Sequence, residues 1–106
     1  MELDKKKAME GLGIPEDMYN ELLRDFVAQA ETVLLELQVA VEAGNFPQIA
    51  NRGHFIRGSA GMLRLHELHL IAGSIEAGGK EGKELEKVKT YVESFKRVFE
   101  ELKKII

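Results

Sequence analysis

The feature that most constrains the fold is the spacing of apolar residues, which recur every three or four positions between Pro15 and Gly44 and again from Leu85 to Ile106. This spacing places apolar side chains along one face of an α-helix. No segment alternates apolar and polar residues with the period of two that is typical of a half-buried strand. The sequence therefore predicts an all-α protein.

The first half of the chain carries recognisable helix boundaries. Asp4 is predicted to cap a short N-terminal helix that ends at the pair Gly11 and Gly13. Pro15 is followed by two acidic residues, a combination that favours the start of a helix. We expect this second, long helix to continue to Gly44.

Three further helices are predicted in the second half. Asn45 is expected to cap the first of them, which ends at a turn near Arg64. A shorter helix follows and is predicted to stop at Gly78-Gly79, before a final long helix. Because short connections make neighbouring helices antiparallel, residues 1–106 are predicted to form a single domain, an up-down antiparallel four-helix bundle with a short extra N-terminal helix.

Length and composition limit the classes of function. A chain of 106 residues can build one core but not a buried catalytic cleft with a cofactor, so no cofactor is expected. A net charge of −3 with no basic stripe argues against a nucleic-acid binder. The sequence has no cysteine for disulfides or thiolate metal sites, and no leading apolar segment for a membrane or secretion signal. A cytoplasmic location is the expectation.

Glycines are unusually dense around His54, in a segment that is otherwise predicted to be helical. Each of Gly53, Gly58 and Gly61 costs about 1 kcal/mol in a helix interior relative to alanine. At about 100° of turn per residue, Gly58 and Gly61 share the outer face with His54. The opposite face is predicted to face the core, and it carries Ile49, Phe55, Ile56, Ser59, Ala60 and Leu63. The imidazole is therefore predicted to project from a bare surface.

An exposed imidazole with a cation one turn away suits phosphoryl transfer. A neutral imidazole nitrogen is a nucleophile at neutral pH, because the ordinary pKa of histidine is about 6.5, and the phosphorus of an acyl phosphate is a suitable electrophile. Arg57 is placed to pair with the incoming phosphoryl oxygens. Gly58 leaves room for the active site of a partner to close over the nitrogen. Such access is typical of a carrier, whereas an enzyme encloses its own site.

These residues fit a motif of the type His-x-hydrophobic-Lys/Arg-Gly-small-small, through His54, Ile56, Arg57, Gly58, Ser59 and Ala60. The motif resembles that of the histidine-containing phosphotransfer (HPt) domains of two-component phosphorelays. The Gly44-Asn45 turn and the segment from Leu68 to Ile75-Glu76 are similar to the elements that flank it in that family. The resemblance extends from about residue 4 to the end of the chain. One departure is Arg64-Leu65, where the family usually has a glycine.

The resemblance implies a role for each residue of the motif. His54 would be the phosphoacceptor, Arg57 the cation that stabilises the phosphoryl group, and Gly58 the position that gives a partner clearance. The implied partners are response-regulator receiver domains, which bring their own Mg²⁺, or a hybrid histidine kinase. The chain itself would be a carrier without autokinase activity that shuttles phosphoryl groups between receiver aspartates. Its small core and single site, whose face must stay open, indicate a monomer.

Two other interpretations remain open at the level of sequence. A helical docking module that binds a receiver or kinase but carries no phosphate would keep the same bare surface. His66 and His69 lie three residues apart and could share a helix face in a metal site. Bundle metal centres usually combine Glu-x-x-His pairs on facing helices, and no such pair occurs, so no metal site is expected.

Three residues near the motif are expected to serve packing. Ser59 is predicted to bond its hydroxyl back to the helix. Phe46 is predicted to pack under the turn before the histidine helix. Arg52 falls within the core-facing arc, so its stem is expected to lie along apolar surface while its head reaches water.

Overall fold

The computed structural model describes residues 3–106, so the first two residues of the predicted 1–106 domain lie outside the described residues. Five helices follow one another in the order α1 (Lys5–Leu12), α2 (Glu16–Glu42), α3 (Phe46–Met62), α4 (His66–Glu81) and α5 (Leu85–Ile105). Residues 3–106 contain no strand, which confirms the all-α prediction. None of the helices in this range is long and apolar enough to cross a membrane.

The four long helices enclose one apolar core. α2 packs against α3 and α5, α4 packs against the same two helices, and α1 contacts α2. Phe99 lies at the centre of an aromatic group, with its ring centroid 6.4 Å from Phe26 edge to face and 6.2 Å from Phe95 in a stacked arrangement. Most residues of the apolar stripes identified in the sequence are core, but Met18 and Ile106 at the ends of these stripes are half-exposed. The α3–α4 contact is the most extensive in the structure.

Two helix ends differ from the sequence prediction. They are the start of α1 and the end of α4, whereas the predicted cap of α3 is confirmed, because Asn45 Oδ1 accepts a hydrogen bond from the Gln48 N–H at 3.1 Å. Asp4 precedes α1 but makes no capping bond. The prediction that the fourth helix stops at Gly78-Gly79 is wrong, since α4 continues to Glu81 and ends at Gly82, where φ is 65°. Such a left-handed residue just after the helix is a common way for a helix to end.

Three glycines, two in α3 and one in α4, serve close packing between these two helices. A Cβ on Gly53 would lie 2.8 Å from the backbone N of Glu76, and one on Gly79 would collide with the backbone of Ala50. A Cβ on Gly61 would lie 2.8 Å from the ring of His69. α3 and α4 therefore approach each other at positions where no side chain fits.

The core face of α3 agrees with the sequence prediction except at its edge. Ile49, Ile56, Ala60 and Leu63 are buried. Phe55 is 41% exposed, so its assignment to the core is wrong. Its ring lies beside α2 under the Arg52 guanidinium, which is 5.4 Å from the ring centroid and also pairs with Glu36. The sequence predicted that the Arg52 head would reach water, but the guanidinium instead makes a cation–π contact with Phe55 and an ion pair with Glu36, and the side chain is 25% exposed.

Ser59 and Phe46 pack as predicted. The Ser59 hydroxyl donates to the Phe55 carbonyl one turn earlier in the same helix, at 3.4 Å. Phe46 is half-buried against the core and lies beside Gly82. These contacts give both residues a packing role.

Arg64 takes the left-handed conformation at the α3–α4 corner, with φ of 57°. Its N–H bonds to Gly61 O at 3.1 Å, and the N–H of Leu65 bonds to Ala60 O at 2.9 Å. This is the Schellman arrangement that usually employs glycine, because a left-handed non-glycine residue costs about 1–2 kcal/mol. Tyr19 donates its hydroxyl proton to Leu63 O at 2.9 Å and stabilises the corner from α2. The departure noted in the sequence therefore leaves the turn intact.

Asp4 connects the chain before α1 to this corner. Its Oδ2 accepts from Arg64 Nε at 3.1 Å and contacts His66 Nε2 at 3.2 Å. The hydrogen bond to His66, and then that to Arg64, lower the pKa of Asp4 below its ordinary value. A carboxylate whose pKa is lower in the folded state stabilises the protein above its unfolded pKa, and this contribution disappears as the pH falls through the folded pKa.

We predict that Asp4→Asn lowers the urea midpoint of unfolding at pH 7 and that the difference from wild type shrinks progressively as the pH falls below about 4, the ordinary pKa of aspartate. The measurement is urea denaturation followed by circular dichroism across this pH range. Asp25→Asn is the matched control, because Asp25 is exposed on α2. An Asp4→Asn effect that persists undiminished at the lowest pH would contradict the linkage to the Asp4 carboxylate.

The close α3–α4 contact is the basis of a second prediction. Gly53→Ala is expected to destabilise the fold by about 1–3 kcal/mol, because its methyl group forces the two backbones apart. Gly58→Ala is the control on the same helix, since no atom lies within 4 Å of the added Cβ. That variant is expected to gain up to about 1 kcal/mol from helix propensity. Equal urea midpoints for the two variants would show that the contact is not tight.

Candidate functional site

The site is built around His54 on α3 and Glu76 on α4. The His54 side chain is 68% exposed, whereas Glu76 is the buried charged residue beneath it, at 4% exposure. Nδ1 of His54 lies 2.9 Å from Oε2 of Glu76. The exposed imidazole predicted from the sequence is therefore present, and it rests on a carboxylate from the neighbouring helix.

Two cations complete the surroundings of Glu76. Lys80 Nζ lies 3.2 Å from Oε2, one helical turn along α4. Arg57 Nη1 lies 3.0 Å from Oε1 as an ion pair without hydrogen-bond geometry, so Oε1 has no hydrogen-bond donor within residues 3–106. Desolvation by burial raises the pKa of Glu76, but the hydrogen bonds from Lys80 and His54 and the charge of Arg57 outweigh it and hold the pKa below its ordinary value. Glu76 is ionised at neutral pH.

The ionised carboxylate determines which ring nitrogen of His54 carries the proton. A carboxylate accepts hydrogen bonds and cannot donate one, so a neutral imidazole must present Nδ1–H to Glu76. Nε2 then keeps its lone pair. This atom makes no hydrogen bond within the part of the chain that the structure describes. The arrangement leaves a free nucleophilic nitrogen on an exposed ring.

Arg57 and Gly58, the next two residues of the motif considered, both reach the protein surface. The Arg57 side chain is 42% exposed, and the backbone carbonyl of Arg57 contacts His69 Nδ1 at 2.9 Å. Gly58 faces open space, with no atom within 4 Å of a Cβ built there. Of the two glycines that the sequence analysis placed on the outer face with His54, only Gly58 leaves open space. α4 fills the space beside Gly53 and Gly61.

Comparison with known proteins agrees with this geometry. The Hpt domain family model matches residues 21–104, which is most of the chain. The chain belongs to the Hpt domain family. It is also similar to Multistep phosphorelay regulator 1 of Schizosaccharomyces pombe, at 33% identity over 55 residues, a segment that covers 52% of this chain and 19% of that protein. No solved structure gives a significant match.

Sequence reasoning did not assign a role to Glu76 or Lys80 of this Hpt domain. Glu76 entered only as part of the Leu-Glu segment of the following helix. The signal was nevertheless present, because Glu76 lies four residues after Ala72 and three before Gly79 in the buried stripe of α4. A carboxylate in an apolar stripe needs a partner, since an unpaired buried charge is costly.

The other two histidines have separate partners in the Hpt domain. His66 contacts Asp4 at the corner, while His69 contacts the Arg57 carbonyl and covers Gly61. Within residues 3–106, no three His, Cys, Asp or Glu side chains come together as a metal site would require. His69 therefore belongs to the frame of the site, because it holds the α3 backbone at Arg57 against α4.

The tautomer of His54 gives a direct test of the Glu76 contact. We predict that nitrogen NMR of the imidazole detects the Nδ1–H tautomer in the wild-type protein at a pH where His54 is neutral. Glu76→Ala removes the acceptor, so the Nε2–H form that predominates in free histidine should increase. Glu81→Ala, an exposed residue at the end of the same helix, is the control and should not change the spectrum. A wild-type ring protonated mainly on Nε2 would contradict the assignment.

Proposed function

We propose that this Hpt domain is a phosphoryl carrier in which His54 accepts a phosphoryl group from the aspartyl phosphate of one receiver domain and passes it to the aspartate of another. The observation that carries the proposal is the exposed His54 ring held through Nδ1 by a buried carboxylate. The name of the relative, a multistep phosphorelay regulator, supports a role in such a relay. A hybrid histidine kinase is an alternative donor within the same proposal.

The transfer step follows from the tautomer of His54. The Nε2 lone pair attacks phosphorus in line, so the N–P bond forms as the P–O bond to the aspartyl carboxyl group breaks. The electron pair of that bond leaves with the receiver carboxylate. The imidazole gains positive charge and keeps its Nδ1 proton, which faces Glu76 at 2.9 Å. The second receiver reverses the step when its carboxylate oxygen attacks phosphorus and the N–P electron pair returns to Nε2.

Arg57 and Glu76 have complementary roles in this step. Glu76 stabilises the positive charge that develops on the ring, and it orients the ring before the reaction. Arg57 provides donors for the phosphoryl oxygens, since its guanidinium is half-exposed and one turn from His54. Its ion pair with Glu76 keeps it beside the reacting nitrogen. Because residues 3–106 contain no strand followed by a glycine-rich phosphate-binding loop, we expect the carrier to bind no nucleotide and to have no autokinase activity.

Gly58 provides clearance for the partner. Open space above this residue allows the receiver's active site, with its own Mg²⁺, to close over Nε2. We further propose that residues 1–106 form one monomeric domain, in which α2 to α5 are an up-down antiparallel four-helix bundle and α1 is the extra helix. A monomer keeps the His54 face open to both receivers in turn.

Label transfer from phosphorylated receiver domains tests the proposal. The wild-type protein is expected to acquire an acid-labile, base-stable label, whereas His54→Gln should acquire none and remain folded. Gly58→Leu is expected to reduce transfer from a receiver at least about tenfold, because its side chain occupies the space that the partner needs. The same variant should accept phosphoryl from the small donor phosphoramidate within about twofold of the wild-type rate.

Three outcomes would oppose this reading. Equal labelling of wild type and His54→Gln would remove His54 as the acceptor. Undiminished receiver transfer by Gly58→Leu would remove the clearance role. Receiver binding without any transfer would favour the alternative, a docking module that carries no phosphate.

A further inference from the structure

Within residues 3–106, Lys80 is the one charged neighbour of Glu76 to which the proposed transfer gives no role. Its Nζ lies 3.2 Å from Glu76 Oε2, the same oxygen that accepts from His54 Nδ1. Because the two contacts share one oxygen, the ammonium group and the imidazole are immediate neighbours across the α3–α4 contact. Arg57 approaches the other oxygen of the carboxylate. Lys80 and Arg57 are therefore both held near His54, each by a different oxygen of the Glu76 carboxylate.

We propose that Lys80 is a second phosphoryl-binding cation, which Glu76 holds beside His54 until the phosphoryl group arrives. The inference rests on the proposed formation of phosphohistidine at His54. The Lys80 side chain is 69% exposed, and its ammonium group has three donors at the end of a flexible stem. It can therefore turn from the carboxylate to the phosphoryl oxygens without movement of the α4 backbone.

The charges around the site show why a second cation is needed. Before transfer, one carboxylate faces two cations and a neutral imidazole. The phosphoryl group brings two negative charges, while the ring gains one positive charge. With Arg57 alone, the carboxylate and the phosphoryl dianion would carry three negative charges against two positive charges, one on Arg57 and one on the ring. Lys80 supplies a second side-chain cation, and its three donors complement the planar donors of the guanidinium.

A purely structural role for Lys80 makes a different prediction. Glu76 and Lys80 are four residues apart on α4 with the acid first, which is the favourable order for a stabilising helix pair. If that pair were the whole role, loss of Lys80 would change thermal stability and leave the chemistry of His54 unchanged. Phosphorylation rate and phosphohistidine lifetime therefore separate the two roles.

The experiment compares wild type, Lys80→Gln, Lys80→Arg and Lys83→Gln, with phosphoramidate as the donor so that no receiver is needed. Lys83 is exposed in the α4–α5 connection, and its variant changes the net charge by the same amount. We expect Lys80→Gln to slow phosphorylation of His54 about fivefold at low salt and to shorten the lifetime of the phosphohistidine. The difference in phosphorylation rate between Lys80→Gln and wild type should become smaller at about 1 M salt, because the Debye length is then roughly 3 Å and the Lys80 charge is screened. Lys80→Arg should restore most of the rate.

The outcomes distinguish this inference from the function on which it rests. If the wild type takes no label at His54, both the carrier function and the role of Lys80 fail. If the wild type is labelled but Lys80→Gln and Lys83→Gln react alike, only the role of Lys80 is overturned. Thermal unfolding of each variant identifies any rate change that comes from loss of the fold. Slower reaction of folded Lys80→Gln, with rescue by arginine, supports the second cation.

Discussion

The close approach of α3 and α4 is the constraint on which the rest of the structure depends. At Gly53 and Gly79 the backbone of one helix lies directly against the other, with no room for a side chain. Each glycine weakens its own helix by about 1 kcal/mol relative to alanine. Burial of the surrounding apolar side chains offsets that loss. The approach places Glu76 of α4 beneath His54 of α3, and the site exists only because the helices lie this close together.

Glu76 connects the packing of the helices to the chemistry of the site. A carboxylate at 4% exposure is costly to remove from water, and its nearby donors and cations compensate for that cost. Those same contacts orient the imidazole, select its tautomer and gather two cations beside the proposed nucleophile. A preorganised group needs little rearrangement when charge develops during reaction. In this Hpt domain, the buried carboxylate is therefore also the group that orients the exposed imidazole.

Much of the fold could be predicted because its signals are local. Three-four apolar spacing indicated the helices, and Asn45 caps α3 through its own side chain, within three residues of the chain. Glycine was the ambiguous signal. Gly82 ends α4, but Gly79 is buried against α3, so a glycine pair that resembled a helix end was a contact surface. Whether a glycine ends a helix or lies in a contact between helices depends on the neighbouring helix, which the local sequence does not show.

Local spacing in the chain was enough to predict the helical class, the long amphipathic helices and the His54–Arg57–Gly58 motif, because these depend on residues within one or two turns of one another. The contact between Glu76 and Nδ1 of His54, 22 residues apart along the chain, arises from the packing of α4 against α3. Helix packing likewise places Arg64 in a left-handed corner suited to glycine. These features depend on how whole helices pack, and packing energy overrides local preference when buried contacts support a strained or charged residue.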